Sequence, residues 1–356
     1  MDTNKSLLIK DILAEAVKSG AHDLHFSVGN YPALRIGKEW NQLEDREIVT
    51  QEFMSSLVQM LLDEEQQKKL SESKEIIFGY NFDKNLRFKI NIFYQKGFLS
   101  ATFRYIAFPV PALSSLNLNP LIKDLTSSSS GLIIIAGPFG SGRSTTAAAI
   151  IEEINQNYKK YVITIEDPIE YLFTNKKSII EQREVGRDTA SFQEALSYFQ
   201  EEDGDVLFLE NLNDPKIIPL ALEIASGSAL VVTTMSANST AQAVASILDN
   251  FTSFDQERIR DLLARSLRAI ICQKFIPKIG GGLMVIQEIM LANDAIKSII
   301  LSGSISQLDN IVQTSRREGM VSFDTILAEL VKGGEVSPQE ALEQANNKNG
   351  LEKTIS

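Results

Sequence analysis

Residues 137–145 read GPFGSGRST. Glycines at 137 and 142 bracket four residues and are followed by a basic side chain and a hydroxyl, the G-x-x-x-x-G-K-[ST] spacing of a phosphate loop with Arg143 where that pattern has lysine. The chemistry of such a loop is anion binding. The backbone N–H groups of Gly137, Gly140, Ser141 and Gly142 can converge on one phosphate, and Arg143 adds positive charge. Ser144 supplies a hydroxyl suited to Mg²⁺, and Thr145 carries the loop into a helix. The same residues could also serve as a glycine turn with no ligand. Two acidic positions stand at the ends of apolar runs: Glu166 closes ITIE, followed by Asp167, and Glu210 closes VLFLE. An acid at a strand end beside a phosphate loop is placed for proton transfer, although acids there also cap helices or face solvent.

The elements that must hold these groups can be read from periodicity. Leu132, Ile133, Ile134, Ile135 and Ala136 form an apolar run before the loop, and an alanine-rich stretch follows it, so a buried strand feeds the loop and a helix leaves it. Further strands are expected at 161–165, 206–209 and 229–234, alternating with helical segments. That order predicts an α/β unit with a mostly parallel sheet, whose ligands sit at the carboxyl ends of the strands. A helix around 257–271 and a strand at 283–290, after the triple glycine at 280–282, complete it.

Ahead of this unit lies a smaller α+β pattern. Leu8, Ile9, Ile12, Leu13, Ala16 and Val17 mark one face of a helix that stops at Gly20. Leu86, Phe88, Ile90 and Ile92 alternate with Arg87, Lys89 and Asn91, a half-buried strand whose basic face is expected in solvent. Lys96-Gly97 turns it into a second strand. The prolines at 109, 111 and 120 place a linker near 108–119.

With 356 residues and 44% hydrophobic content the chain can build two sizeable cores. No apolar run reaches the ~18 residues of a membrane span, and the N-terminus lacks a signal-peptide core, which points to the cytoplasm. A net charge of −11 disfavours a broad nucleic-acid footprint, so protein partners are expected instead. The lone Cys272 lies in an apolar stretch and is expected to pack in the core.

Several separate segments now fall into one order: GAHDLH (20–25), RFKINIFYQ (87–95), Phe103-Arg104, the loop, ITIEDPIEY (163–171), QREVGRDT (182–189), KIGGG (278–282) and QEIM (287–290). Over about residues 5 to 340 the chain resembles the PilT/PilU branch of the type II/type IV secretion ATPases, the hexameric motors that retract type IV pili. The resemblance implies a PAS-like α+β domain over 1–107, a linker over 108–119, a RecA-like P-loop domain with a helical C-terminal part over 120–345, and a frayed tail over 346–356. It implies ATP and Mg²⁺ as ligands, Glu166 as general base, and Glu210 as the nearest acid to the Walker B position. It also implies that Arg104 and Lys96 reach the phosphates of a neighbouring subunit. The partners it implies are further copies or related subunits in a hexamer and an inner-membrane platform protein of the pilus machine, which would make the chain peripheral to that membrane.

Position by position, this chain departs from the pattern. The family's Walker B has four apolar residues, glycine, then glutamate; here the run is Val206, Leu207, Phe208, Leu209, Glu210, Asn211, with the acid one place early. Side chains alternate along a strand, so Glu210 is expected to point away from the family glutamate's place unless the strand end bulges or uncoils. The only histidines are His22 and His25, so the His-box expected within 227–238 has none, and Ser228 and Ser236 fall near its places. Basic residues expected around Walker B are replaced by Ser197 and Gln200 before it and by Leu212, Asn213 and Asp214 after it, while Arg183 and Arg187 persist. Lys96 replaces an arginine, giving a point charge in place of a fork.

Arginine is broader and planar where a phosphate loop expects a slim ammonium, and losing one well-placed donor costs about 3 kcal/mol of transition-state stabilisation. The leading expectation is therefore a PilT-like paralogue that binds ATP, hydrolyses it weakly or not at all, and serves a pilus retraction machine as an accessory or regulatory subunit. An active motor in which Arg143 and Glu210 substitute for the missing groups, and a structural subunit that has lost nucleotide altogether, stand as alternatives.

Overall fold

The computed structural model describes residues 3–37, 39–84 and 86–355, with side chains from Ile9 onward. The chain divides into two compact units, Met1–Pro109 with Pro168–Leu172, and Val110–Asp167 with Phe173–Ser356.

The first unit contains α1 (Thr3–Lys18), β1 (Asp23–Ser27), β2 (Ala33–Ile36), β3 (Glu39–Gln42), α2 (Gln51–Leu61), α3 (Glu64–Ser73), β4 (Glu75–Asp83), β5 (Leu86–Gln95) and β6 (Phe98–Ile106). Its six strands form one antiparallel sheet in the order β3-β2-β1-β6-β5-β4. Period-two alternation sends Phe88, Ile90 and Ile92 into a core shared with α1 and α2. Phe26, Phe88 and Phe103 are fully buried there, each worth about 1.5–3 kcal/mol of burial. Thr50 caps α2, and Asp63 with Gln66 forms a reciprocal capping box on α3. Lys96 (φ +50°) and Gly97 (φ +82°) make the two-residue turn between β5 and β6.

The other face of β5 departs from expectation. Arg87 and Lys89 are half-buried against the segment Pro168–Leu172, which packs with this unit although it lies some sixty residues beyond β6. Arg87 donates Nε to the Glu170 carbonyl at 2.7 Å and Nη2 to the Ile169 carbonyl at 2.5 Å. Lys89 Nζ pairs with Glu170 Oε1 at 2.9 Å. The basic stripe is a docking face for two backbone carbonyls and a carboxylate, which periodicity along one strand cannot reveal.

The second unit contains α4 (Leu121–Leu125), β7 (Gly131–Ala136), α5 (Arg143–Asn157), β8 (Tyr161–Glu166), β9 (Ile179–Glu184), α6 (Phe192–Phe199), β10 (Val206–Leu209), α7 (Ile218–Ser226) and β11 (Leu230–Met235). It continues with α8 (Thr240–Leu248), α9 (Ser253–Ser266), β12 (Leu267–Pro277), β13 (Leu283–Leu291), α10 (Asp294–Ser302), α11 (Leu308–Thr314), α12 (Phe323–Lys332), α13 (Pro338–Gln344) and α14 (Lys348–Ile355). The sheet order is β13-β12-β7-β11-β10-β8-β9, parallel except for the β12–β13 pair. Every residue of β7, β10 and β11 is buried, as a parallel sheet covered on both faces requires. One face packs on α5 through Ile133, Ile135, Phe208 and Val232. The other packs on α6 and α7 through Leu132, Ile134, Leu207 and Val231.

Two local expectations are corrected. The helix expected through residue 271 ends at Ser266, and Leu267–Ile271 open β12, because Ile270 and Ile271 are paired on both edges by β7 and β13. The tail expected to fray forms α14, with Leu351 buried. Its entry is held by Asp324, whose two carboxylate oxygens accept from Asn346 N at 2.8 Å and Asn347 N at 3.0 Å. Asn346 also donates to Glu288 Oε2 at 3.0 Å. Burial pushes the Glu288 carboxyl above its ordinary pKa, and Thr240 and Phe323 supply further donors to it.

Candidate functional site

The carboxyl ends of β7, β8, β10 and β11 open in one direction, and the expected site residues follow each of them. After β7 the chain enters the glycine loop: Gly137, Gly140 and Gly142 have φ of +157°, +78° and +86°. Left-handed backbone is strained for other residues, so the glycines at 140 and 142 are conformational requirements. Gly142 is the N-cap of α5, and Arg143, Ser144 and Thr145 occupy its first turn, where backbone N–H groups lack intrahelical partners. The Ser141 hydroxyl is 3% exposed and has no hydrogen-bond partner among the described residues. A glycine-lined cradle, an orphaned buried hydroxyl and a helix start together fit a phosphate group.

Arg143 reaches from α5 to the end of β11, where Nη1 donates to Ser236 Oγ at 3.1 Å. Ser236 is the residue immediately after β11. Ser228, the other serine near a His-box place, precedes β11 and so lies at the opposite end of the strand. Only Ser236 is brought to the loop.

Glu166 ends β8 and is 3% exposed. Its Oε1 accepts from Thr164 Oγ1 at 2.7 Å and from Gln182 Nε2 at 3.2 Å. Thr164 lies two residues back on the same face of β8, and Gln182 comes from β9, so two strands orient this carboxylate.

β10 ends at Leu209, and Glu210 lies in a bend beyond it. Its N–H still bonds the Ile165 carbonyl at 3.1 Å, its carbonyl accepts from Thr234 Oγ1, and its Oε2 accepts from Asp167 N. The carboxylate is turned toward the end of β8 and holds backbone. Asn211 is exposed. Among the described residues no group of three or more His, Cys, Asp or Glu side chains could hold a metal ion.

Lys96 and Arg104 belong to the first unit, where Lys96 is exposed at the β5–β6 turn and Arg104 grips Asp23 through Nε at 2.8 Å and Nη2 at 3.4 Å. Arg183 pairs with Glu202 at 3.3 Å and Arg187 with Asp188 at 3.9 Å, contacts worth about 0–1 kcal/mol each. Cys272 is buried in β12 with its Sγ 3.5 Å from the Ala237 carbonyl, and burial pushes its pKa up to about 12, so it stays a packed thiol.

Sequence reading missed Gln273, which is 1% exposed. From β12 its Nε2 donates to the Ser141 carbonyl at 2.7 Å, and its Oε1 accepts from Thr146 Oγ1 at 2.9 Å. A polar residue directly after the apolar run 269–272 was the available signal.

No helix among the described residues is long and apolar enough to cross a membrane. Residues 2–283 match the family model described as Type II/IV secretion system protein. The chain is 33% identical over 337 residues to the type IV pilus retraction ATPase PilT of Pseudomonas aeruginosa, covering 95% of this chain and 98% of that one. It is 28% identical over 345 residues to the type IV pilus ATPase PilU of the same organism, covering 97% and 90%. A crystal structure of the pilus retraction motor PilT with bound ADP superposes with a TM-score of 0.86 at 34% identity, covering 96% of this chain and 98% of that one. With its two units, its glycine loop after β7 and its acids at the ends of β8 and β10, the chain belongs to the PilT-like type II/IV secretion ATPase family.

Proposed function

We propose that this protein binds ATP with Mg²⁺ at the glycine loop, turns it over slowly or not at all, and acts as an accessory or regulatory subunit of a pilus retraction machine. The hydrogen bond from Arg143 to Ser236 carries this reading. The cradle formed by Gly137, Gly140, Ser141 and Gly142 retains what anion binding needs, and the ADP-bound PilT relative supports it. Arg143 supplies charge, but one nitrogen of its planar fork is engaged by Ser236, just beyond β11. Lysine in its place would offer a slim ammonium free to follow the phosphate.

Ser144 and the first turn of α5 would hold the Mg²⁺–phosphate group, and Glu166 is the acid oriented for a water. The acid beyond β10 is engaged with the backbone N–H of Asp167, which supports weak turnover. A donor that fits developing charge is worth about 3 kcal/mol, so an arginine held off that fit, beside a glutamate carboxylate taken up by backbone, lowers rate far more than affinity. The acidic balance speaks against nucleic acid as partner. In its family setting the chain would assemble as a hexamer with itself or related subunits and dock on an inner-membrane platform protein from the cytoplasmic side.

Titration calorimetry with a non-hydrolysable ATP analogue and Mg²⁺, followed by steady-state turnover of Mg-ATP, tests the reading. The expected result is saturable binding with turnover well below about 1 s⁻¹, the low end of ordinary enzyme rates. Turnover at motor rates that is abolished by Glu166→Gln would establish an active motor instead. No heat with ATP or ADP would establish a structural subunit.

A further inference from the structure

We infer that Gln273 is a positioning residue that sets the shape of the phosphate loop, and the inference rests on the nucleotide site proposed above. The loop's two ends differ in what holds them. On one side β7 delivers Gly137 from a fully hydrogen-bonded strand. On the other, the loop is tied across to β12 by one buried carboxamide: Nε2 to the Ser141 carbonyl at 2.7 Å, Oε1 from the Thr146 hydroxyl at 2.9 Å. Cys272 is in register with Ala136, which brings Gln273 beside Gly137, the first residue of the loop.

This approach also brings β12 against both outer glycines. A methyl group on Gly137 would lie 2.5 Å from the Gln273 carbonyl oxygen, an overlap with backbone. One on Gly142 would lie 3.2 Å from Gln273 Nε2 and 3.5 Å from the Phe275 ring. At Gly137 both the Ser141 side chain and the β12 backbone would meet a methyl group, while Gly142 is required by its φ of +86° and has β12 packed against it. Holding the Ser141 carbonyl from outside keeps the peptide on its far side, the Ser141–Gly142 N–H, facing the cradle. Fixing Thr146 pins the first turn of α5, whose N–H groups complete the cradle.

The carboxamide's polarity is what a purely packing residue would not need. It must present N–H to a carbonyl and oxygen to a hydroxyl. A carboxylate of the same shape would set two acceptors against each other at Ser141, and would recover the donor only when protonated. Neither partner, a peptide carbonyl and a hydroxyl, titrates in the accessible range.

The test measures Mg-ADP affinity, by anisotropy of a fluorescent ADP analogue, for the full-length protein and three variants between about pH 6 and 8, with thermal unfolding alongside. Gln273→Met is expected to weaken binding about tenfold or more at every pH, the scale of a lost pair of buried hydrogen bonds. Gln273→Glu is expected to be weakened likewise near pH 8 and to recover toward wild type as pH falls, because burial raises the carboxyl pKa. Affinity is read as the ratio to wild type at each pH, which cancels titration of the nucleotide. If Gln273→Met does not fold, Thr146→Val removes only one of the two bonds and is expected to weaken binding about three- to tenfold. Variants that bind within about twofold of wild type, or a Gln273→Glu ratio flat with pH, overturn the inference. Wild-type protein that binds no nucleotide overturns the proposed function itself, and the role of Gln273 with it.

Discussion

Arg143, the first residue of α5, and Ser236, the first residue after β11, are joined across the mouth of the glycine loop by a 3.1 Å hydrogen bond. Ninety-three residues separate them in the chain. The residue at the lysine place of the loop pattern and a serine near an expected His-box place thus meet as one contact. Ser236→Ala is expected to leave thermal stability nearly unchanged, since one exposed hydrogen bond contributes about 0.5–1.5 kcal/mol at most. Arg143→Ala is expected to weaken Mg-nucleotide binding about tenfold or more, the scale of a charge-assisted bond to phosphate. Thermal unfolding of Ser236→Ala and calorimetric titration of Arg143→Ala check the pair; equal affinities for wild type and Arg143→Ala would remove the arginine from the site.

Glu210 is held as a backbone acceptor, with Oε2 on the N–H of Asp167. Glu210→Gln keeps an acceptor there and is expected to change the Mg²⁺ dependence of nucleotide binding by less than about twofold. Glu210→Ala removes it, with an expected loss of about 0.5–1.5 kcal/mol seen in denaturant unfolding. A large Mg²⁺ effect in Glu210→Gln would restore the acid to a metal role.

The C-terminal helix depends on Asp324, which takes the N–H groups of both Asn346 and Asn347. Asp324→Ala is expected to lower the melting temperature by about 2–4 °C, the shift that ~1 kcal/mol produces in a unit of this size. Amide exchange in 346–355 is expected to accelerate much more than in β7. Unchanged exchange in α14 would show that Leu351 packing alone holds it.

His25 is packed edge-on to Trp40 with centroids 6.1 Å apart, and burial holds its pKa below the ordinary histidine value. As pH falls through that ordinary value, about 6.5, the unfolded chain takes up a proton that the folded chain does not, so stability falls on acidification. His25→Asn is expected to flatten the slope of unfolding free energy against pH between about 7 and 5. An unaltered slope would place the proton uptake elsewhere.

Much of the architecture was legible before any coordinates. The apolar run 132–136, the spacing of GPFGSGRST and the alternation from Leu86 to Ile92 each report a local preference, and local preferences survive folding when the core agrees with them. Glu166 was legible for the same reason, as an acid at the end of a strand pattern. Glu210 was legible only in part: strand alternation sets its direction while the strand lasts, and β10 ends one residue earlier, releasing the side chain toward Asp167. The helix–strand boundary at Ser266 could not be read because Leu267–Ile271 suits either element, and pairing with β7 and β13 made the choice.

The order of residues along the chain already contained the family, the glycine loop and the set of side chains that could meet there, since spacing and periodicity are properties of neighbours. Folding chose the meetings. Arg143 found Ser236, Gln273 closed the loop from β12, Arg87 and Lys89 took the segment around Glu170, and Asp324 held the tail. Each joins groups that only tertiary packing brings within about 3 Å, the range where a hydrogen bond exists at all.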